Sequence, residues 1–261
     1  MKKMLLAFQF LTIIPVRDMG EVSDQEIGGS TAIFPLVGFI EGIILSVLAF
    51  LCLKVFPAEL TNAILVLAIV IMNGGLHLDG LADTFDAIAS RGDLDKKLLV
   101  MKDSSVGPMG VIAIVMVLLL KYVLLNAVFF HSTINVYITV LIVMPVVSRW
   151  AMVPAAYHCT SARKDGLGRV FLEHTGTKEL LTATVLVVLI VLLAAVSGSQ
   201  YPFFIFCVMF ALPVIYFFIF AAAWFFKQIF GGMTGDSFGA VNEIVLLIFL
   251  VTTVIWLQKF I

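Results

Sequence analysis

The chain has 261 residues, 62% of them hydrophobic and only 13% charged, with a mean hydropathy of +1.13. That composition excludes a water-soluble globular domain and points to a membrane protein. Sixteen basic residues against seventeen acidic ones leave no cationic surface, which excludes nucleic acid as a partner.

The N-terminal stretch MKKMLLAFQFLTIIPV starts like a signal peptide, but Pro15 ends the apolar run and no small-residue cleavage site follows. It reads as a short retained helix that lies on the membrane or dips into it, too short to span. Gln9 and Thr12 are polar residues in this greasy segment and are expected to line a site. Seven stretches are then long and apolar enough to span: 33–53, 58–78, 108–128, 135–157, 179–197, 203–226 and 241–259. They are continuously apolar rather than alternating, which excludes spanning strands. The expected fold is all-α: a single integral membrane domain over 1–261, a polytopic helical bundle of about seven transmembrane helices plus the short N-terminal helix. No internal repeat is visible. Cys52, Cys159 and Cys207 form no CxxC pair and read as packing residues rather than as a disulfide or zinc site.

With seven spans, the side of the N-terminus carries Lys2, Lys3, Arg17, Arg91, Lys96, Lys97, Lys102, Arg163, Lys164, Arg169, Lys178 and Lys227. The opposite side carries Lys54, Lys121 and Lys259. Twelve cations against three put the N-terminus in the cytoplasm and the C-terminus outside. Fifteen of the seventeen acids fall on the same side as the N-terminus, so polar chemistry collects there.

The polar constellations follow in chain order. Glu41, inside the first span, suits an interhelical hydrogen bond. HLDGLADTFDA, residues 77–87, places Asp79, Asp83 and Asp86 within about 60° of arc on a helix. Three like charges on one stripe are best explained by Mg²⁺ carrying phosphate. Gly80 and Ala82 would leave room for a substrate. His77 sits about 160° from that stripe and suits a supporting or packing role.

In MKDSSVGPMG, residues 101–110, Gly107 and Pro108 open the third span. Ser104, Ser105 and the free amides of that helix start offer a phosphate seat, with Lys102 adding charge and Asp103 a further metal ligand. The bland alternative is a pair of capping serines. Arg149, deep in the fourth span, faces a substrate phosphate, an aspartate, or a structural ion-pair partner. Arg163, Lys164 and Arg169 in ARKDGLGRVF hold an anionic substrate or serve only as topology determinants.

FGGMTGDSFGAVNE, residues 230–243, has closely spaced glycines, and Asp236 and Glu243 share a face with Gly239 and Ala240 between them. Asp236 would complete the metal site or act as a base, with Glu243 in support. The alternative is Asp236 as a helix N-cap and Glu243 as a snorkelling acid. Carboxylates, a phosphate seat and interspersed cations on one face amount to metal-assisted phosphoryl transfer, an acid taking the proton of an attacking hydroxyl. These residues alone do not name the substrate.

GGLHLDGLADTFDA, MKDSSVGPMG, SRW at 148–150, the DGLG turn at 165–168 and GGMTGDSFGAVNE together resemble the cobalamin synthase family, the adenosylcobinamide-GDP ribazoletransferases. FQFLTIIPV at 8–16 and FPLVG at 34–38 extend the likeness over nearly the whole chain. The resemblance implies a Mg²⁺-dependent enzyme of a bacterial or archaeal cell membrane. It would join adenosylcobinamide-GDP to α-ribazole, or its 5′-phosphate, and release GMP. The family's acidic motif falls on His77, Asp79, Asp83 and Asp86. Its glycine-rich motif falls on Gly231, Gly232, Thr234, Gly235, Asp236 and Glu243. The expected partners are these substrates and membrane lipid, with room for a homo-oligomer or for association with other cobalamin-assembly enzymes. Two rivals stand. The acidic cluster is similar to that of CDP-alcohol phosphotransferases, but no Arg follows the Ala here and the later spacing departs from their pattern. A transporter would hold its ionisable groups at the bilayer midplane, whereas here only Glu41 and Arg149 are deep.

Overall fold

The computed structural model describes residues 2–15, 20–197 and 201–260. Arg17, counted above among the cations, lies outside them. The described residues are helical, without a named strand. The helices run α1 (Lys2–Leu11), α2 (Asp24–Gly29), α3 (Phe34–Cys52), α4 (Ala58–Met72), α5 (Leu76–Ala89), α6 (Leu94–Val100) and α7 (Pro108–Phe130). They continue as α8 (Ile134–His158), α9 (Leu167–His174), α10 (Thr177–Ser197), α11 (Tyr201–Phe206), α12 (Leu212–Phe230) and α13 (Gly235–Phe260). A 3₁₀ turn joins α2 to α3, and a π-helical turn at Cys207–Ala211 joins α11 to α12.

Six helices are long and apolar enough to cross a membrane, and up to seven if the bent pair α4–α5 counts as one span. The protein is a multi-pass membrane protein. The second expected span, 58–78, is corrected at its end. α4 stops at Met72, Gly74 and Gly75 adopt φ of 61° and 75°, and α5 leaves at 85° to α4. Only glycine enters that left-handed region without strain. At fifteen residues α4 is about 22 Å long, and α5 packs its Leu78 and Leu81 against Ala113 and Val117 of α7 and Ala240 of α13. The last span begins at Gly235 rather than 241, and the sixth reaches Phe230 rather than 226.

α8 is the central post: nearly every residue from Val136 to Ala156 is buried. α3 packs backbone to backbone against it at Gly38 and Gly42, where a Cβ would meet the main chain of Pro145 and Ile142. Close approach through small residues four apart is the usual way membrane helices gain packing contact. The three cysteines are free, with Cys52 and Cys207 buried, in keeping with a packing role. The starts of α3, α7, α10 and α13 and the ends of α4, α8 and α12 all lie at one end of the bundle. That end also holds α1, α2, α5, α6 and α9, so the long polar connections gather there.

Candidate active site

α5 and α13 touch through glycine. A Cβ on Gly80 would lie 2.6 Å from the carbonyl oxygen of Asp236, and one on Gly239 would lie 2.9 Å from that of His77. The room that the sequence assigns to substrate at Gly80 is therefore filled by α13. The contact sets Asp79 and Asp83 of α5 beside Asp236 of α13. Burial, and then the charges of Asp79, Asp236 and Asp86, push the Asp83 carboxyl up to about 7, with Arg163 opposing. Three neighbouring carboxylates thus act on one acid, the situation a cation relieves.

Asp86 turns away from that group. Its Oδ2 accepts from the Gly107 amide at 2.7 Å and its Oδ1 from the Gly110 amide at 2.8 Å. Pro108 has no N–H, so of the first-turn donors of α7 only that of Met109 is left. The helix start expected to seat a phosphate is already occupied by an anion of the chain's own. Gly107 and Gly110 are glycines because a Cβ at either would run into the Asp86 carboxyl.

Asp103 is exposed and receives the amide and hydroxyl of Ser105, at 3.0 and 2.8 Å. The amide bond holds its carboxyl below the usual range. Ser104 is exposed beside it, and Lys102 pairs across loops with Asp165 at 3.8 Å. Asp103, Ser104, Ser105 and Lys102 do not line the cavity described next.

The start of α13 is built by Thr234, not Asp236: the Thr234 hydroxyl accepts from the Ser237 amide at 3.2 Å, an N-cap. Asp236 is thereby in the first turn, where its Oδ2 lies 3.0 Å from Nη1 of Arg163. Arg163 is carried by a loop clipped to the glycine-rich segment. Ala162 donates to the Met233 carbonyl at 2.8 Å and Met233 to the Thr160 carbonyl at 2.9 Å. Gly232 has no side chain because Thr160–Ala162 presses on it. The starts of α9 and α13 also meet, Gly168 against Gly235.

Between these parts lies a cavity of about 230 Å³. Asp79, Arg163, Thr234, Gly235 and Asp236 line it on the polar side, with Phe10, Met152 and Phe238 as apolar lining. Two helix N-termini on one wall make it receptive to phosphate, and the carboxylates make it receptive to a cation.

Two expected ligand-binding residues sit elsewhere. Arg149 is 2% exposed and donates to Glu41 at 2.9 Å and Asn242 at 2.7 Å, the structural ion pair. Glu243 is 1% exposed, paired with Lys121 and within 3.3 Å of the Asn242 amide. Both lie in the bundle core because a buried charge needs a partner, and the partner is another helix. Lys121 is likewise not a loop lysine of the far side. Gln9 is exposed, Thr12 bonds its own helix at the Phe8 carbonyl, and Phe10 between them lines the cavity instead. His77 is buried, with its backbone against Gly239 and its Nε2 without a hydrogen-bond partner among the described residues.

Among the described residues no three acid, imidazole or thiol side chains converge as an all-protein metal cage would require. Mg²⁺ asks for less: one or two carboxylates, with substrate phosphates and water completing the octahedron. Asp79, Asp83 and Asp236, hard oxygen donors on two helices that touch through Gly80 and Gly239, fit that requirement.

A family model described as cobalamin-5-phosphate synthase matches residues 3–254. The chain is 36% identical over 250 residues to an adenosylcobinamide-GDP ribazoletransferase of Geotalea daltonii, covering 95% of each chain. It is 34% identical over 264 residues to one of Clostridioides difficile, covering 96% of each. For one of Clostridium acetobutylicum the identity is 32% over 244 residues, 93% of this chain and 92% of the relative. No solved structure matches.

Proposed function

The chain belongs to the cobalamin-5-phosphate synthase family, and on that premise we propose that it joins adenosylcobinamide-GDP to α-ribazole, or its 5′-phosphate, with release of GMP. The observation that carries the site assignment is the meeting of α5 and α13 at one cavity, with Asp79, Arg163 and Asp236 on its wall and Asp83 electrostatically coupled to them.

The acceptor hydroxyl oxygen bonds to the phosphorus on the corrinoid arm. The bridging P–O bond breaks, and GMP leaves with the electron pair. Asp236 would take the hydroxyl proton. Arg163, which holds Asp236 in the free protein, offers the rest of its planar fork to the diphosphate. The starts of α9 and α13 direct partial positive charge at the same oxygens. Asp79 and Asp83 would hold Mg²⁺, which when bound neutralises the diphosphate and stabilises the departing GMP. The site would face the cytoplasm of a cell membrane, by the count of Lys and Arg.

Membranes carrying the protein should release GMP from adenosylcobinamide-GDP and α-ribazole, lose that activity in EDTA and regain it with Mg²⁺. Asp83→Asn should lower turnover by about a thousandfold, the scale of one transition-state electrostatic contact, while the protein still inserts. Undiminished release from Asp83→Asn would remove the aspartates from the active site.

A further inference from the structure

The cavity has two chemically different walls. Asp79, Arg163 and Asp236 belong to one, and Phe10, Met152 and Phe238 to the other. The reaction set out above uses only the polar wall. None of the three side chains on the apolar wall carries an N–H or O–H.

The apolar wall comes from α1, α8 and α13 and is held from behind. The Ile13 amide donates to the Met72 carbonyl at 2.9 Å, which ties the end of α1 to the turn between α4 and α5. The Phe10 ring then lies against Phe171 and Phe34, with centroids 4.5 and 6.0 Å away. Phe171 in turn meets Phe238 edge-on at 6.5 Å. The space behind these rings, bounded also by Thr31 and Ala156, is too narrow for a water molecule. The wall is therefore in place before anything binds, and little ordering is left for a ligand to impose.

A fixed aromatic surface facing charged groups suits a ligand with one apolar planar part and one polar part. The two substrates offer three ring systems. The corrinoid macrocycle is too bulky for about 230 Å³. Guanine carries donors and acceptors around its edge, and against Phe10, Met152 and Phe238 they would go unpaired at a cost. The nucleobase of α-ribazole is a benzimidazole with two methyl groups, whose one free polar atom is a ring nitrogen. It matches the wall. Its ribose also carries the attacking hydroxyl, and Phe238 follows Asp236 by two residues on α13. A nucleobase on this wall leaves its sugar beside the carboxylate assigned to the proton.

We propose that Phe10, Met152 and Phe238 seat the nucleobase of the acceptor and set a preference for an apolar benzimidazole over a purine. This rests on the functional reading above. The test uses the full chain in detergent, adenosylcobinamide-GDP with Mg²⁺, and α-ribazole or the α-riboside of adenine as acceptor. The readout is the ratio of kcat/KM for α-ribazole over the adenine riboside. Wild type favours α-ribazole. Phe10→Ala opens the wall to water and lowers the ratio about tenfold, the worth of two buried methyl groups. Met152→Gln, close in size but with a donor and an acceptor, lowers the ratio by raising use of the adenine riboside, a gain that poor folding cannot imitate. Metal-dependent GMP release with the ratio unmoved by Phe10→Ala or by Met152→Gln overturns the proposal alone. An unmoved ratio with a raised KM for adenosylcobinamide-GDP also overturns it, and puts guanine on the wall. No metal-dependent release from wild type with α-ribazole overturns the functional reading and the proposal with it.

Discussion

Asp83 is an ordinary aspartate in the sequence and an unusual acid in the fold. An aspartate titrates near 4 when free, and here burial and its acidic neighbours raise it to about 7. Between those values the native protein binds more protons than the unfolded chain, so metal-free stability is full below pH 4 and falls as pH rises through 7. Mg²⁺ competes with that proton. In EDTA the unfolding temperature of the detergent-solubilised protein should therefore drop between pH 5 and 8, Mg²⁺ should restore it at the alkaline end, and Asp83→Asn should flatten the trend. A trend unchanged by that substitution would locate the titration elsewhere. The stripe of three aspartates was legible from helical spacing alone. That Asp86 leaves the group was not, because its partners, the amides of Gly107 and Gly110, are 21 and 24 residues away.

Among the elements, α7 shows how one side chain joins two helices. Asp86 caps α7 while belonging to α5, so the helix carrying Asp79 and Asp83 is fixed to its neighbour. Asp86→Ala should cost about 1–2 kcal/mol of stability, the worth of a strong N-cap, and leave the Mg²⁺ concentration for half-maximal activity in place. A large rise in that concentration would make Asp86 a metal ligand after all. Spans 108–128 and 135–157 were read nearly to their ends, because apolar runs bounded by Gly, Pro or polar residues mark helices well. The span at 58–78 was overrun because hydropathy does not register a left-handed turn, although Asn73-Gly74-Gly75 signals one. α13 starts earlier than hydropathy suggests because Gly235–Ala240, polar and glycine-rich, is packed against α5 and capped by Thr234.

At the scale of the whole molecule, all the proposed chemistry lies at one end of the bundle. The count of cations that orients it improves once Lys121 is seen inside α7, leaving Lys54 and Lys259 on the far side. Val55, 75% exposed in the far connection, and Ser105 at the site end should then report opposite faces. In a chain with its own cysteines replaced, Val55→Cys should react with an impermeant maleimide on whole cells, and Ser105→Cys only after permeabilisation. The reverse pattern would invert the topology. The lysine also bears on how the protein is made. α7 is apolar enough to enter the bilayer as it emerges, but it enters with a cation whose partner, Glu243, is 122 residues away in the last helix. A bare lysine at mid-span costs about 2.5–3.5 kcal/mol by insertion scales, and that cost stands until α13 has been made. Without α13 the chain would keep an unneutralised charge in lipid, so α7 settles in the bilayer only when its distant partner helix arrives.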